Sequence, residues 1–133
     1  MKQIYQEALE ALNNHQVIAF PTETVFGLGV FYDDEGAYHL LNEIKRRRED
    51  KPYTMMLSDV NDIAKYAIVN EKYLPLIKKY MPGSLTILVR SKENVPGYVT
   101  HNTGIIGIRI PENKEALDLL KFIKKPLLVP SAN

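Results

Sequence analysis

The ten residues from Phe20 to Gly29, FPTETVFGLG, constrain the fold more than any other stretch of the chain. They continue the short apolar run Val17 to Phe20, whose β-capable side chains predict a buried, central strand. Pro21 has no N–H to donate, so the ladder should end there. Thr22, Glu23 and Thr24 then place two hydroxyls and a carboxylate at the strand's C-terminal tip, the edge at which open α/β sheets bind ligands. Val25 and Phe26 predict a return to the core, and Gly27 and Gly29 permit tight backbone beside it. A plainer alternative needs no ligand: a strand, a turn, and a helix capped by Thr22 or Thr24.

The rest of the chain can be read around that stretch. Ile4, Ala8 and Leu12 recur at helical spacing and predict a helix that ends at Asn13-Asn14 and feeds the strand. The acids Asp33, Asp34 and Glu35 suit a helix start, and Ala37, Leu40, Leu41 and Ile44 give that helix an apolar face as far as Lys45. Pro52 breaks the pattern, and Tyr53 to Leu57 reads as the next strand. Ser58-Asp59 and Asn70 are candidate caps for two short helices, the second turning Tyr73, Leu74, Ile77 and Tyr80 to the core. Leu85 to Arg90 and Ile105 to Ile110 read as strands, and Pro96 to Gly104, between them, as a candidate flap. Glu112 to Ile123 is a helix with Ala116, Leu117, Leu120 and Ile123 inward, and Leu127 to Val129 is a last buried strand. This succession of strands and helices predicts a single domain with α/β-type layers, spanning residues 1–133.

Composition limits the function. With 133 residues, 45% of them hydrophobic, the chain can bury a real core. Seventeen basic against sixteen acidic residues give a net charge of +1, so no global field draws the protein to nucleic acid or membrane and a basic site must be local. The absence of cysteine rules out a disulfide framework and thiolate metal ligation. No apolar leader is visible, nor any run near the roughly twenty residues of a membrane span. The expectation is a cytoplasmic protein without membrane contact.

The local basic site is Lys45 to Lys51, KRRREDK, with five cations against two anions. Such a run at a helix C-terminus offsets the dipole and stays solvated unless it has a ligand. As an anion site, Lys45, Arg47 and Lys51 would converge on phosphate where the helix unwinds before Pro52; arginine suits bidentate contact and lysine supplies a point charge. Arg109, within the apolar run IIGIRI, is costly unless it faces a ligand, an ion partner or solvent. Two strand tips also share one pattern, an apolar strand, a proline, then small polar residues: Phe20-Pro21-Thr22 and Val129-Pro130-Ser131. Side by side, these tips would line one pocket.

PTETVFGLG, then Lys45-x-Arg47 with Lys51 and Pro52, PGSLT (Pro82 to Thr86), GIRIP (Gly107 to Pro111) and PSAN (Pro130 to Asn133), in this order, resemble the YrdC-like family of threonylcarbamoyl-AMP synthases. The resemblance implies an enzyme that condenses L-threonine, bicarbonate and ATP, with Mg²⁺ accompanying the ATP, into threonylcarbamoyl-AMP and pyrophosphate. The product would pass to downstream transferase proteins that install threonylcarbamoyladenosine in tRNA. It further implies an α+β fold, a twisted mixed sheet flanked by helices on both sides, with a basic concave cavity. Thr24 would meet threonine, with Thr22 as the nearby alternative; Arg109 would pair with the threonine carboxylate and Ser131 would contact threonine. Lys45, Arg47 and Lys51 would face the triphosphate, Lys45 and Arg47 as the catalytic cations, and Asn133 would contact the nucleotide. The chain departs from many relatives in having Arg48 for a proline and Met56 near a histidine position. It also stops at PSAN where the family usually continues, so the C-terminal part of the family domain is expected to be absent, with weak nucleotide binding and poor turnover. Two other readings remain: a tRNA or double-stranded RNA binding module without catalysis, and a carbamoyl-transfer domain of the hydrogenase-maturation type.

Overall fold

A computed structural model describes residues 2–22, 26–45 and 53–130. The elements run α1 (Lys2–Asn13), β1 (Ile18–Pro21), β2 (Phe26–Phe31), α2 (Glu35–Lys45), β3 (Tyr53–Met56), α3 (Ile63–Tyr66), β4 (Ala67–Ile68), α4 (Leu74–Tyr80), β5 (Thr86–Ser91), α5 (Gly97–Thr100), β6 (Ile105–Arg109), α6 (Lys114–Ile123) and β7 (Leu127–Pro130). The described residues form a seven-stranded sheet in the order β1-β2-β7-β3-β6-β5-β4. β3 and β6 pair in parallel, and the other neighbouring pairs are antiparallel. This is the mixed sheet of an α+β fold.

Alternation along the strands divides the core into two layers. Val30, Leu128, Tyr53, Met55, Ile106, Ile108, Ile87 and Val89 point to one side, where Ala37, Tyr38 and Leu41 of α2, Ile63 of α3, Ile77 of α4 and Val99 of α5 join them. Ile18, Phe20, Phe31, Leu127, Val129 and Met56 point to the other, beneath Leu12 of α1 and Ala116, Leu119, Leu120 and Ile123 of α6. Each fully buried large side chain contributes about 1.5 to 3 kcal/mol, enough for these layers to fix the sheet. On the second face the cover stops short of β5 and β6: Thr86, Leu88, Arg90 and Ile105 are exposed there and Arg109 is half-buried.

Several expectations change. β1 is an edge strand with Ala19 exposed, not a central buried one. The next described element after Thr22 is a second strand, β2, so the capped helix is not formed. Phe26 is 73% exposed instead of returning to the core, and it pairs with Pro21 at the mouth of the hairpin. Gly27 and Gly29 leave room for close side-chain packing on that hairpin: a Cβ on Gly29 would stand 3.0 Å from the Phe20 ring and 3.3 Å from Leu127, and one on Gly27 3.1 Å from the Thr22 methyl. The tips of β1 and β7 are not adjacent, since β2 lies between them.

Helix faces rotate from their expected positions. In α1 the stripe is Tyr5, Ala8, Leu9 and Leu12, with Ile4 60% exposed, because Tyr5 packs on Phe122 of α6 with ring centroids 5.9 Å apart. In α2 the buried residues are Ala37, Tyr38, Leu41 and Asn42, while Leu40 and Ile44 are exposed. Only Ile77 of α4 is buried; Leu74 and Tyr80 face solvent. In α6, Leu119 takes the buried place expected of Leu117, which is half-buried. The candidate flap contains the short helix α5, whose Val99 and Thr100 are buried and whose Tyr98 hydroxyl donates to the Tyr32 carbonyl at 2.6 Å. It is a packed cover. The caps behave as expected: Asp34 accepts from the Ala37 N–H at 3.1 Å, Asp59 from Asn61 and Asn70 from Lys72.

Candidate functional site

Strand directions decide which sequence stretches meet. β1 is antiparallel to β2 and β2 to β7, so β1 and β7 run parallel and end on the same side of the sheet. Pro21 and Pro130 thus lie toward one end, on strands two spacings apart, about 10 Å across the sheet. β3 begins there as well, with Tyr53 opposite Pro130. Helix α2 leaves the far end of β2 and rises about 16 Å over its 11 residues, so its exposed last residue, Lys45, precedes the basic stretch that leads into Tyr53. The described flanks of PTET, KRRREDK and PSAN are therefore gathered at one end of the sheet.

Two polar ties organise the ground beside that end. Asn113 caps α6 by accepting from the Ala116 N–H at 3.0 Å, and its amide donates to the Thr22 carbonyl at 3.2 Å. The loop after β1 is thereby anchored to the start of α6. Arg109 stands four residues before Asn113 on the uncovered part of the second face, and its Nε donates to the Gly83 carbonyl at 3.0 Å. Partial burial lowers the guanidinium pKa from its ordinary value and Glu112 opposes that shift. Arginine remains charged under either influence. By register, Arg109 lies opposite Met56 and Thr86, so its backbone sits toward the other end of the strands from the gathered tips, where its side chain meets the Gly83 turn.

Of the residues singled out from the sequence, the structure describes Thr22, Lys45 and Arg109. Thr22 is half-buried at the strand tip, Lys45 is exposed at the end of α2, and Arg109 is half-buried on the open face. Thr24, Arg47, Lys51, Ser131 and Asn133 lie outside the described residues. Met56 is 2% exposed within the second core layer. Of the histidines, His15 meets Asp34 at 2.7 Å, His39 lies 3.5 Å from Glu35, and His101 ends α5 in the left-handed region. Among the described residues no cluster of three metal-ligating side chains occurs, and no helix is long and apolar enough to cross a membrane.

Asn113 and Asn42 escaped the sequence reading. Asn113 could have been found as the cap-type residue just before the helical run from Lys114. Asn42 carried no such signal. It is 7% exposed, accepts a short hydrogen bond from the Tyr53 hydroxyl, and its Nδ2 has no hydrogen-bond partner among the described residues. An unmet buried donor of this kind costs about 1 to 3 kcal/mol.

The fold and this sheet end define a class: an α+β domain with a mixed sheet, polar strand tips and a cationic helix end grouped beside a half-open face. Residues 10–133 match the Sua5/YciO/YrdC family, described as "Telomere recombination". The chain belongs to that family. It is 33% identical over 132 residues to the putative threonylcarbamoyl-AMP synthase of Methanocaldococcus jannaschii, an alignment covering 99% of this chain and 61% of that protein. Its fold superposes on the crystal structure of P. abyssi Sua5 complexed with L-threonine with a TM-score of 0.93 at 30% identity, covering 100% of this chain and 39% of that one. E. coli YciO is similar at a TM-score of 0.90 and 26% identity, covering 98% and 64%. The chain thus spans about three fifths of the length of the M. jannaschii relative and less of the P. abyssi structure.

Proposed function

We propose that this protein makes threonylcarbamoyl-AMP and pyrophosphate from L-threonine, bicarbonate and ATP, as the synthase domain of a cytoplasmic tRNA-modification route. The observation that carries this reading is the gathering, at one sheet end, of the described flanks of two hydroxyl-rich strand tips and a cationic helix end. That combination suits a reaction in which every reactant is or becomes anionic. The threonine amine adds to bicarbonate, or to the CO₂ in equilibrium with it, giving the carbamate with loss of water; the carbamate oxygen then attacks the α-phosphate, and pyrophosphate leaves. Such chemistry needs aligned substrates and fixed positive charge more than a protein nucleophile.

In this assignment Lys45, Arg47 and Lys51 hold the triphosphate, with Lys45 and Arg47 offsetting the charge that develops during adenylation. Arg109 pairs with the threonine carboxylate, Thr24 or Thr22 and Ser131 contact threonine, and Asn133 contacts the nucleotide. Mg²⁺, which travels with ATP, is held in this reading by phosphate oxygens and water. The adenylate passes to a transferase that acts on tRNA.

The local basic stretch also suits a second reading, a module for tRNA or double-stranded RNA, and titration separates the two. One saturable ATP site, retained at moderate salt, is expected of the synthase. RNA affinity that falls steeply and linearly on a log-log salt plot, with no ATP binding, is the result expected of the RNA module.

A further inference from the structure

We infer that the protein has a second ligand site, at the sheet end opposite the strand tips, for a small zwitterion with an anionic head and an ammonium tail. A cavity of about 420 Å³ lies there, beside Leu57 after β3 and Pro126 before β7. Tyr53 and Leu57 are four residues apart in the sequence, so roughly 13 Å of extended chain separates the cavity from the gathered tips. Buried Leu57, Leu120 and Pro126 supply its apolar lining.

The two walls come from opposite layers of the fold and differ in charge. The end of α6, which packs in the second layer, brings Lys121 and Lys124, with Lys125 just after them. The stretch after β3, anchored in the first layer by Ile63, brings Asp59, Asp62 and Lys65. Some of these charges already have partners: Lys125 Nζ lies 3.0 Å from Asp33, and Lys65 meets Asp62 at 3.0 Å. Others do not. Among the described residues, Lys121, Lys124 and Asp59 make no ion pair, and the half-buried Ser58 hydroxyl makes no hydrogen bond. Asp59 accepts from the Asn61 N–H at 2.9 Å through Oδ1, which leaves its second oxygen for a ligand.

Lysines in the last turn of a helix can serve only to offset its dipole. That role requires neither a cavity nor an acidic wall lining the same cavity. It also does not account for Lys124, which stands at φ 61°, the left-handed position at which helices commonly end on glycine. Lys121 and Lys124 are three residues apart, near enough on a helix to repel each other. A phosphate or carboxylate held by both relieves that repulsion through charge-assisted hydrogen bonds, and Ser58 adds a neutral donor. The ammonium tail then meets Asp59, with the carbon linker over Leu57 and Leu120.

The test is a titration of the nitrogen-15-labelled protein with O-phosphoethanolamine, inorganic phosphate and ethanolamine at constant ionic strength, followed by amide shifts in NMR spectra. Only amides of Ser58 to Tyr66 and Leu120 to Lys125 are scored, because phosphate also suits the cations proposed for the other sheet end. Saturable shifts in both stretches are expected with O-phosphoethanolamine, severalfold tighter than with phosphate, and none with ethanolamine. The double variant Lys121→Gln, Lys124→Gln should weaken binding about tenfold; both side chains are exposed, so its spectrum should stay dispersed. Asp59→Asn keeps a cap-forming side chain and should bring O-phosphoethanolamine down to the affinity of phosphate. Phosphate binding as tightly as O-phosphoethanolamine in the wild type would overturn the zwitterion assignment. Absence of saturable shifts in the two stretches, or equal shifts in the lysine variant, would overturn the site itself. Neither result bears on the synthase reading, which concerns the opposite end of the sheet.

Discussion

Arg109→Leu is expected to remove threonine-dependent pyrophosphate release while the protein stays folded. If the guanidinium meets the threonine carboxylate, truncation takes away one side of a charge-assisted pair, which costs about 2 to 5 kcal/mol, or roughly thirty- to several-thousandfold in turnover at low threonine. The structural cost is smaller. Arg109 Nε donates to the Gly83 carbonyl, a hydrogen bond worth about 1 kcal/mol net against a domain stability of about 5 to 15 kcal/mol. Leucine is compatible with the site, because Leu88 and Ile105 are already exposed on that side of the sheet. Pyrophosphate release with and without threonine, set beside a urea melt, checks the prediction. A variant that unfolds without any ligand would make Arg109 a strut for the Gly83 turn.

The second large effect is expected at the triphosphate. Arg47→Ala should weaken ATP by about 1.5 to 3 kcal/mol, roughly ten- to a hundredfold, by deleting charge-assisted contacts. Threonine affinity and the urea midpoint should stay near the wild-type values, since the two core layers are built from other residues. Calorimetric titration reads the change directly, and unchanged ATP affinity would remove Arg47 from the site. Lysine at the same position should recover only part of the loss, because it keeps the charge without the fork of donors.

How far the sequence could be read depended on how local each cause was. Strand ends set by Pro21 and Pro52, and caps set by Asp34, Asp59 and Asn70, depend on neighbouring residues and were legible. Strand order is not local. Nothing in Val17 to Phe20 says that β2, rather than β7, will be its partner, so the shared pattern of the two tips predicted the correct end of the sheet with the wrong adjacency. β2 itself was hidden because Gly27 and Gly29 lower β propensity while serving the close approach of Phe20 and Leu127. Helix faces were misplaced by one position where an aromatic residue outcompeted an aliphatic one, as Tyr5 does over Ile4. Among the candidate residues, Thr22, Lys45 and Arg109 stand out in the sequence by residue type. Asn42 and Asn113 work through partners 11 and 91 residues away, a relation visible only once the chain is folded.

The most direct measurement is product formation from L-threonine, ATP and carbon-13 bicarbonate, followed by mass spectrometry of the adenylate. The account predicts threonylcarbamoyl-AMP carrying the labelled carbon, even at low turnover, absent when L-threonine or ATP is omitted and lost in Arg109→Leu. Saturable ATP binding, or RNA binding, with no labelled adenylate at any threonine concentration would contradict it.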